Sequence, residues 1–414
     1  MAEMKDSGTA WLGMIPKDWE LSKISSIYEL RTQKVSDKDY PPLSVTMNGI
    51  VPQLDSAAKT NAHDDRKLVK KGDFAINSRS DRRGSCGVSE YDGSVSLINT
   101  VMKPRDEMNP DYYNWLFHTI QFADEFYKWG HGIVDDLWTT NWQDMKHIDI
   151  PVPTLDEQKV IADYLNKAIP EIDALHTDIE KQIETLEEYK KSIITEAVTK
   201  GLDPDVEMKD SGIEWVGMIP KHWNVTKFKY ICSVKTNLVN VKKYQEYPQI
   251  SPDNIEKDSG ILLNYSTVAE AGVISDNHLF FKGQILYSKI RPKLNKATIA
   301  PFNGLCSADM YPIETNENTM FVLYMILSQY FLNQVSLVTE DRVKMPKINQ
   351  EELGVIKIVL PDNINEQEKI VLYLHQKCQD ISKAIEEKKE QLETLEQYKK
   401  SIIYEYVTGK KEVK

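Results

Sequence analysis

Cysteine is scarce in this chain. Cys86, Cys232, Cys306 and Cys378 are the four present, and none sits in a C-x-x-C pair. That spacing argues against a zinc site and a disulfide framework, and it fits a reducing, cytoplasmic setting. No run of about 18 apolar residues occurs, so no segment is expected to span a membrane. The opening MAEMKDSGTAW has no apolar stretch behind its lysine and does not read as a signal peptide. Nucleotide and metal signatures are missing too: no G-x-x-x-x-G-K-S/T loop, no G-x-G-x-x-G, no H-E-x-x-H, and no H-x-E with P-C-x-x-C. The eight histidines are scattered. Asn109–Tyr112 (NPDY) is similar to the N-P-P-Y tetrad of adenine methyltransferases. Its second proline is missing and no glycine-rich strand precedes it, so a turn capping the next helix is the better reading. Together these absences predict a chain with no catalytic centre, metal or cofactor of its own.

What remains is a globular composition over 414 residues, 41% hydrophobic and 28% charged, with a net charge of −12. The acidity is uneven. Residues 154–200 hold 11 acidic and six basic side chains, and 361–407 hold ten and seven. The larger segments 20–153 and 224–360 carry only −4 and +2. Any affinity for a polyanion must therefore come from local basic patches rather than a global field.

The strongest positive signal is an internal repeat. MKDSGTAWLGMIPKDW at Met4–Trp19 returns as MKDSGIEWVGMIPKHW at Met208–Trp223, and ETLEEYKKSII at Glu184–Ile194 returns as ETLEQYKKSII at Glu393–Ile403. Fainter echoes pair YPPLS at Tyr40 with YPQIS at Tyr247, and KGDFAINSR at Lys71 with KGQILYSKI at Lys282. Near-identical ends bracket divergent middles. Such a layout suits like parts that do one job twice and unlike parts that recognise different things.

The repeated ends read as helices. After IDIPVP (Ile148–Pro153), TLDE at Thr154–Glu157 has the form of a capping box, matched by NINE at Asn363–Glu366. Pro170 is expected to open a second helix. From there Ile172, Leu175, Ile179, Gln182, Leu186, Tyr189 and Ile193 keep a 3-4 spacing, as do Ile381, Ala384, Lys388, Gln391, Leu395, Tyr398 and Ile402. Both read as coiled-coil seams, predicting an antiparallel pair of long helices. The middles read as mixed α/β, with strands such as Val95–Met102 and Val355–Leu360 and one buried helix each, Tyr112–Trp129 and Met320–Val335. The fold class expected is thus α/β (α+β): two pseudo-symmetric domains, 1–153 and 224–360, helical regions 154–200 and 361–414, and a linker 201–223 repeating the N-terminal motif.

Basic loops recur at matching places. Arg79, Arg82 and Arg83 fall in NSRSDRRGS, with Lys71 ahead of them; Lys289, Arg291, Lys293 and Lys296 fall in SKIRPKLNK. A second loop precedes the final strand of each middle: LWTTNW, with Trp138, Thr139 and Asn141, and EDRVKMPK, with Arg342 and Lys344. Arginine in a polar loop suits phosphate contact and bidentate guanine recognition, which makes these thirteen residues the candidate DNA contacts.

The opening MKDSG…W.G.IP..W, the KGDFAINSR and KGQILYSKIRPKLNK segments, and the Glu157–Gln158 and Glu366–Gln367 pairs that begin each long helix resemble the specificity subunits of type I restriction–modification systems. The resemblance covers nearly the whole chain, in both copies. It implies two target-recognition domains, each reading one half of a split double-stranded DNA site, separated by two helices. It also implies two modification subunits that bind S-adenosylmethionine, and two motor-nuclease restriction subunits with ATP and Mg. A type IIB-like system with the same architecture is an open alternative. So is a fused methyltransferase, which the missing cofactor motifs oppose, or a coiled-coil scaffold without DNA binding.

Overall fold

Short β-branched and aromatic runs, interrupted by glycine turns, are too brief to bury a core singly and must pair. In the computed structural model, which describes residues 3–54, 63–105, 108–132, 138–340 and 346–413, they do so twice with one topology. The chain falls into two units: Met1–Ile179 with Glu390–Lys414, and Glu180–Lys389.

In the first unit an antiparallel sheet runs in the order Cys86–Val88, Phe74–Asn77, Asn99–Pro104, Tyr28–Leu30. In the second the corresponding order is Ala297–Ile299, Ile285–Ser288, Met310–Thr315, Cys232–Val234. Each unit carries a hairpin from the repeated motif ahead of its sheet, Met4–Asp6 with Met14–Pro16 and Met208–Asp210 with Met218–Pro220. The strand after each hairpin pairs antiparallel with the last strand of its unit: Glu20–Lys23 with Asp149–Val152, and Asn224–Lys227 with Lys357–Leu360. The YP echoes mark a parallel crossing, Pro42 beside Ser94 and Gln249 beside Leu305. A glycine is required at both crossings: a Cβ on Gly93 would lie 2.6 Å from the Pro41 carbonyl, and one on Gly304 2.7 Å from that of Pro248.

Three sequence expectations fail. Tyr112–Trp129 is two helices, Pro110–Phe117 and Ile120–Lys128, because Thr119 caps the second by accepting from the Phe122 N–H. Met320–Val335 likewise splits at Ser328 into Thr319–Leu327 and Gln329–Val338, bent by 63°. Pro170, by contrast, starts nothing; it lies inside one continuous helix, Leu155–Lys200. A proline there removes a single helical hydrogen bond. Buried Leu165 and Ile169 before it and Ile172 after it pack on the same core and hold the axis across the gap.

The second long helix is Ile364–Val407. In the first unit the two helices run antiparallel: the rings of Tyr164 and Tyr406 lie 4.5 Å apart, and Lys399 reaches Asp173 at 2.5 Å. In the second unit Lys190 donates to Ser382, and Ile193 shares a core with Ile381 and Ile385. The seam is shifted from the expected one at Leu175, Gln182, Tyr189, Gln391 and Tyr398, which are exposed. Ile172, Ile179, Leu186, Ile193, Ile381, Leu395 and Ile402 are buried or half-buried. Leu175, Tyr189 and Tyr398 are 50%, 54% and 49% exposed, and His176, Lys190 and Lys399, each one residue further on, turn inward instead. A 3-4 and a 4-3 series share half their positions, and only the facing helix decides between them. Among the described residues no single helix is long and apolar enough to cross a membrane.

Candidate functional site

The same side chains dock each long helix on its unit. Trp19 Nε1 donates to Glu157 at 3.0 Å and Trp223 Nε1 to Glu366 at 2.9 Å. Gln158 donates to the Pro153 carbonyl and accepts from the Asn109 N–H; Gln367 does the same with Pro361 and Asn318. Asn109 and Asn318 in turn cap the first helix of each buried pair. The NPDY segment is therefore the cap that its sequence suggested. Glu157 also closes the capping box with Thr154. The second box does not close, because the Glu366 carboxylate faces Trp223 and His222 while Asn363 caps Asn365. The tryptophan of the MKDSG motif and the EQ pair are one structural device, written twice.

Where the copies differ, loops gather. In the first unit the loop after Phe74–Asn77 meets the loop before the final strand through a bridge between Arg79 and Thr139. Ser80 N donates to Trp138 O and Thr140 N to Ser78 O, so both loops are fixed by backbone. The arginines are held by acids: Arg79 lies 3.2 Å from Asp81, Arg82 3.9 Å from the same carboxylate, and Arg83 pairs with Asp124 while lying over the Tyr127 ring. Tyr127 hydroxyl also donates to Arg79 O. Asn141 accepts from Gln143 N and forms a capping box with Asp144, as Asn349 does with Glu352 in the second unit. That side chain is committed to a helix start. Lys71 is exposed and pairs with Glu90 at 3.3 Å.

In the second unit the equivalent bridge joins Ile290 and Lys347. Arg291 N donates to Pro346 O, and Ile348 N to Lys289 O. The turn between Lys289 and Lys296 is rigid and unusual. Arg291 (φ +46°) and Asn295 (φ +46°) are both left-handed, flanking a 3-10 turn at Pro292–Leu294. Pro292 is buried and Asn295 Nδ2 donates to Leu327 O. Arg291 and Lys293 are left exposed, and the Lys289 ammonium stacks 5.3 Å from the Tyr311 ring. Lys296 turns away, donating to Pro252 O with only 15% of its side chain exposed. Arg342 and Lys344 lie outside the described residues. The sequence missed Asp81, Asp124 and Tyr127, which control the first loop. Asp81 sits between its two partners in the loop, but Asp124 and Tyr127 lie 41 and 48 residues from theirs, and no local spacing marks those two.

Among the described residues no three His, Cys, Asp or Glu side chains gather to hold a metal. Burial pushes the Cys86 and Cys306 thiols well up and that of Cys232 up to about 12, so none is a reactive thiolate.

Two structurally alike α/β units, each holding a pair of variable loops on a repeated frame that includes antiparallel helices, define a protein built from two like recognition modules. The comparisons give its family. The sequence profile described as "Type I restriction modification DNA specificity domain" matches residues 16–185 and 220–394. The chain belongs to that family. It is 26% identical over 388 residues to the type I restriction enzyme EcoDI specificity subunit of Escherichia coli, covering 88% of this chain and 82% of that one. It is 25% identical over 428 residues to the type I restriction enzyme MjaVIII specificity subunit of Methanocaldococcus jannaschii, covering 97% and 94%. Among solved structures, the HsdS subunit from Thermoanaerobacter tengcongensis superposes with a TM-score of 0.56 at 15% identity over 95% of this chain and 98% of that one. A chain from a structure of type I R-M system assembly and conformational transition superposes with 0.73 at 13% over 95% and 99%. The chain is thus a non-catalytic DNA-specificity subunit of a restriction–modification system.

Proposed function

We propose that each unit reads one half of a split double-stranded DNA site, through Arg79, Arg82, Arg83, Trp138 and Thr139 in the first and Lys289, Arg291 and Lys293 in the second. The observation that carries this is the matched bridge, Arg79 to Thr139 and Ile290 to Lys347, which gathers the divergent loops at one place of an otherwise repeated frame. Two modification subunits dock on the repeated parts. Apolar side chains stay exposed there at matched positions, Leu155 with Ile364 and Tyr189 with Tyr398, which suits one partner bound twice. In this reading S-adenosylmethionine belongs to the modification subunits, ATP and Mg to two restriction subunits, and the complex works in the cytoplasm.

The two long helices act as the spacer. A helix rises about 1.5 Å per residue, so one heptad adds roughly 10 Å, or about three base pairs of B-DNA at about 3.4 Å each. Seven residues inserted after Leu186 and, on the facing helix, after Glu386 should lengthen the unspecified spacer by about three base pairs and leave the half-sites unchanged. Sequencing the methylated adenines of cells expressing the variant with its modification subunit tests this. The original spacing, or altered half-site bases, would remove the helices from that role.

A further inference from the structure

The two loop sets differ in how their positive charge is held. In the first unit every arginine of the loop faces a carboxylate: Arg79 and Arg82 share Asp81, and Arg83 pairs with Asp124. In the second, Arg291 and Lys293 have no acidic partner among the described residues, and Lys289 has only the face of Tyr311. Asp309, whose backbone carbonyl accepts from the Lys289 N–H, gives its carboxylate to Lys347 at 2.9 Å. The second turn is also fixed before any ligand arrives. Left-handed backbone at a non-glycine residue is strained. Here it is held at Arg291 by the Pro346 carbonyl, beside a turn anchored by buried Pro292 and Asn295. The segment charges agree, −4 for residues 20–153 against +2 for 224–360.

We infer that the two units bind DNA by different physics, resting on the reading above that these loops meet DNA. The turn carrying Lys289, Arg291 and Lys293 is the electrostatic anchor and supplies most of the salt-dependent affinity. Arg79, Arg82 and Arg83 act mainly in sequence discrimination. An unpaired cation on a rigid turn displaces a condensed counterion from each phosphate it meets. An arginine already paired with aspartate must give up or share that carboxylate first. Its gain on meeting phosphate is smaller, while its planar donors are held in register for a base edge.

The test is the slope of log K against log salt, measured by fluorescence anisotropy on the full chain co-purified with its modification subunit. Two duplexes of equal length serve as probes, one carrying the site mapped from methylated adenines and one of unrelated sequence. Lys289→Ala/Arg291→Gly/Lys293→Ala, in which glycine keeps the left-handed backbone, should lower the slope by about 2–3 on both duplexes, at about 0.9 per phosphate contact. Lys293→Ala alone, an exposed change with no packing consequence, should lower it by about 0.9. Arg79→Ala/Arg82→Ala/Arg83→Ala should change the slope by less than about 1 while narrowing the gap between the two duplexes. Asp81→Asn/Asp124→Asn, which frees the arginines, should steepen the slope. Equal slope losses in the two triple variants, or no steepening on removing the aspartates, would overturn the division of labour while leaving the loops as DNA contacts. If neither triple variant alters binding to a duplex that the parent chain binds, the loops are not the contacts, and the inference falls together with that reading.

Discussion

The turn before the second strand of each four-stranded sheet is the same in backbone and different in chemistry. In the first unit Gly72 leads into Asp73, whose buried carboxylate accepts from Arg31 Nε and Nη2 at 2.5 and 2.8 Å and from the Lys70 N–H. In the second, Gly283 leads into Gln284, which donates to Glu314, while Lys235, the counterpart of Arg31, pairs with that exposed Glu314. One unit solves the turn with a buried ion pair and the other with a neutral amide and a surface pair. A duplicated frame keeps its glycine turns and sheet order, which backbone geometry imposes, and lets the polar partners drift so long as each buried group is satisfied.

The comparison predicts unequal costs. Arg31→Ala leaves Asp73, 2% exposed, without its cation, and should destabilise the first unit by about 3–5 kcal/mol. Lys235→Ala leaves a half-exposed Glu314 and should cost no more than about 1 kcal/mol. Urea titrations of both variants followed by far-UV circular dichroism measure this, and equal costs would show that burial does not set the difference. Next in size, Gly93→Ala and Gly304→Ala should cost alike, about 1–3 kcal/mol each, because each new methyl meets a carbonyl at the parallel crossing. A cost in one unit only would mean that the crossings are not equivalent. Tyr189→Ala and Tyr398→Ala should leave thermal stability within about 0.5 kcal/mol, yet each should weaken co-purification of the modification subunit, and the double variant should do so more than either. Retention unchanged in the double variant would move the docking face elsewhere. The smallest effect belongs to His118, where Leu327 stands in the second unit. Burial holds its imidazole below the usual range, against hydrogen bonds at Asn114 and Cys86. A depressed histidine contributes stability that is complete above its unfolded value of about 6.5 and is lost as pH falls toward the folded one. His118→Leu should therefore flatten the fall in melting temperature between pH 7.5 and 5.5; an unchanged fall would assign that loss to other groups.

The order of repeats, the glycine turns, the Asn109 cap and the basic loops at matching places in the two copies were legible in the sequence because each is local or written twice. The sequence also carried the heptad repeat, and with it the seam residues Ile172, Ile179, Leu186 and Ile193. It did not carry the phase between them, since Leu175 and His176 or Tyr189 and Lys190 differ by one position and only the facing helix selects which turns inward. Pro170 and Thr119 show the same limit in opposite directions. Proline signals a helix start and threonine is tolerated within helices, yet packing on both sides carries one helix through Pro170, while the Thr119 hydroxyl ends another. The sequence by itself determined a duplicated frame with divergent basic loops, because backbone turns, caps and periodicity are short-range. Only the tertiary structure decided which of those basic groups are already neutralised. Arg83 and Asp124 are 41 residues apart, and a charge's availability depends on what lies beside it in space.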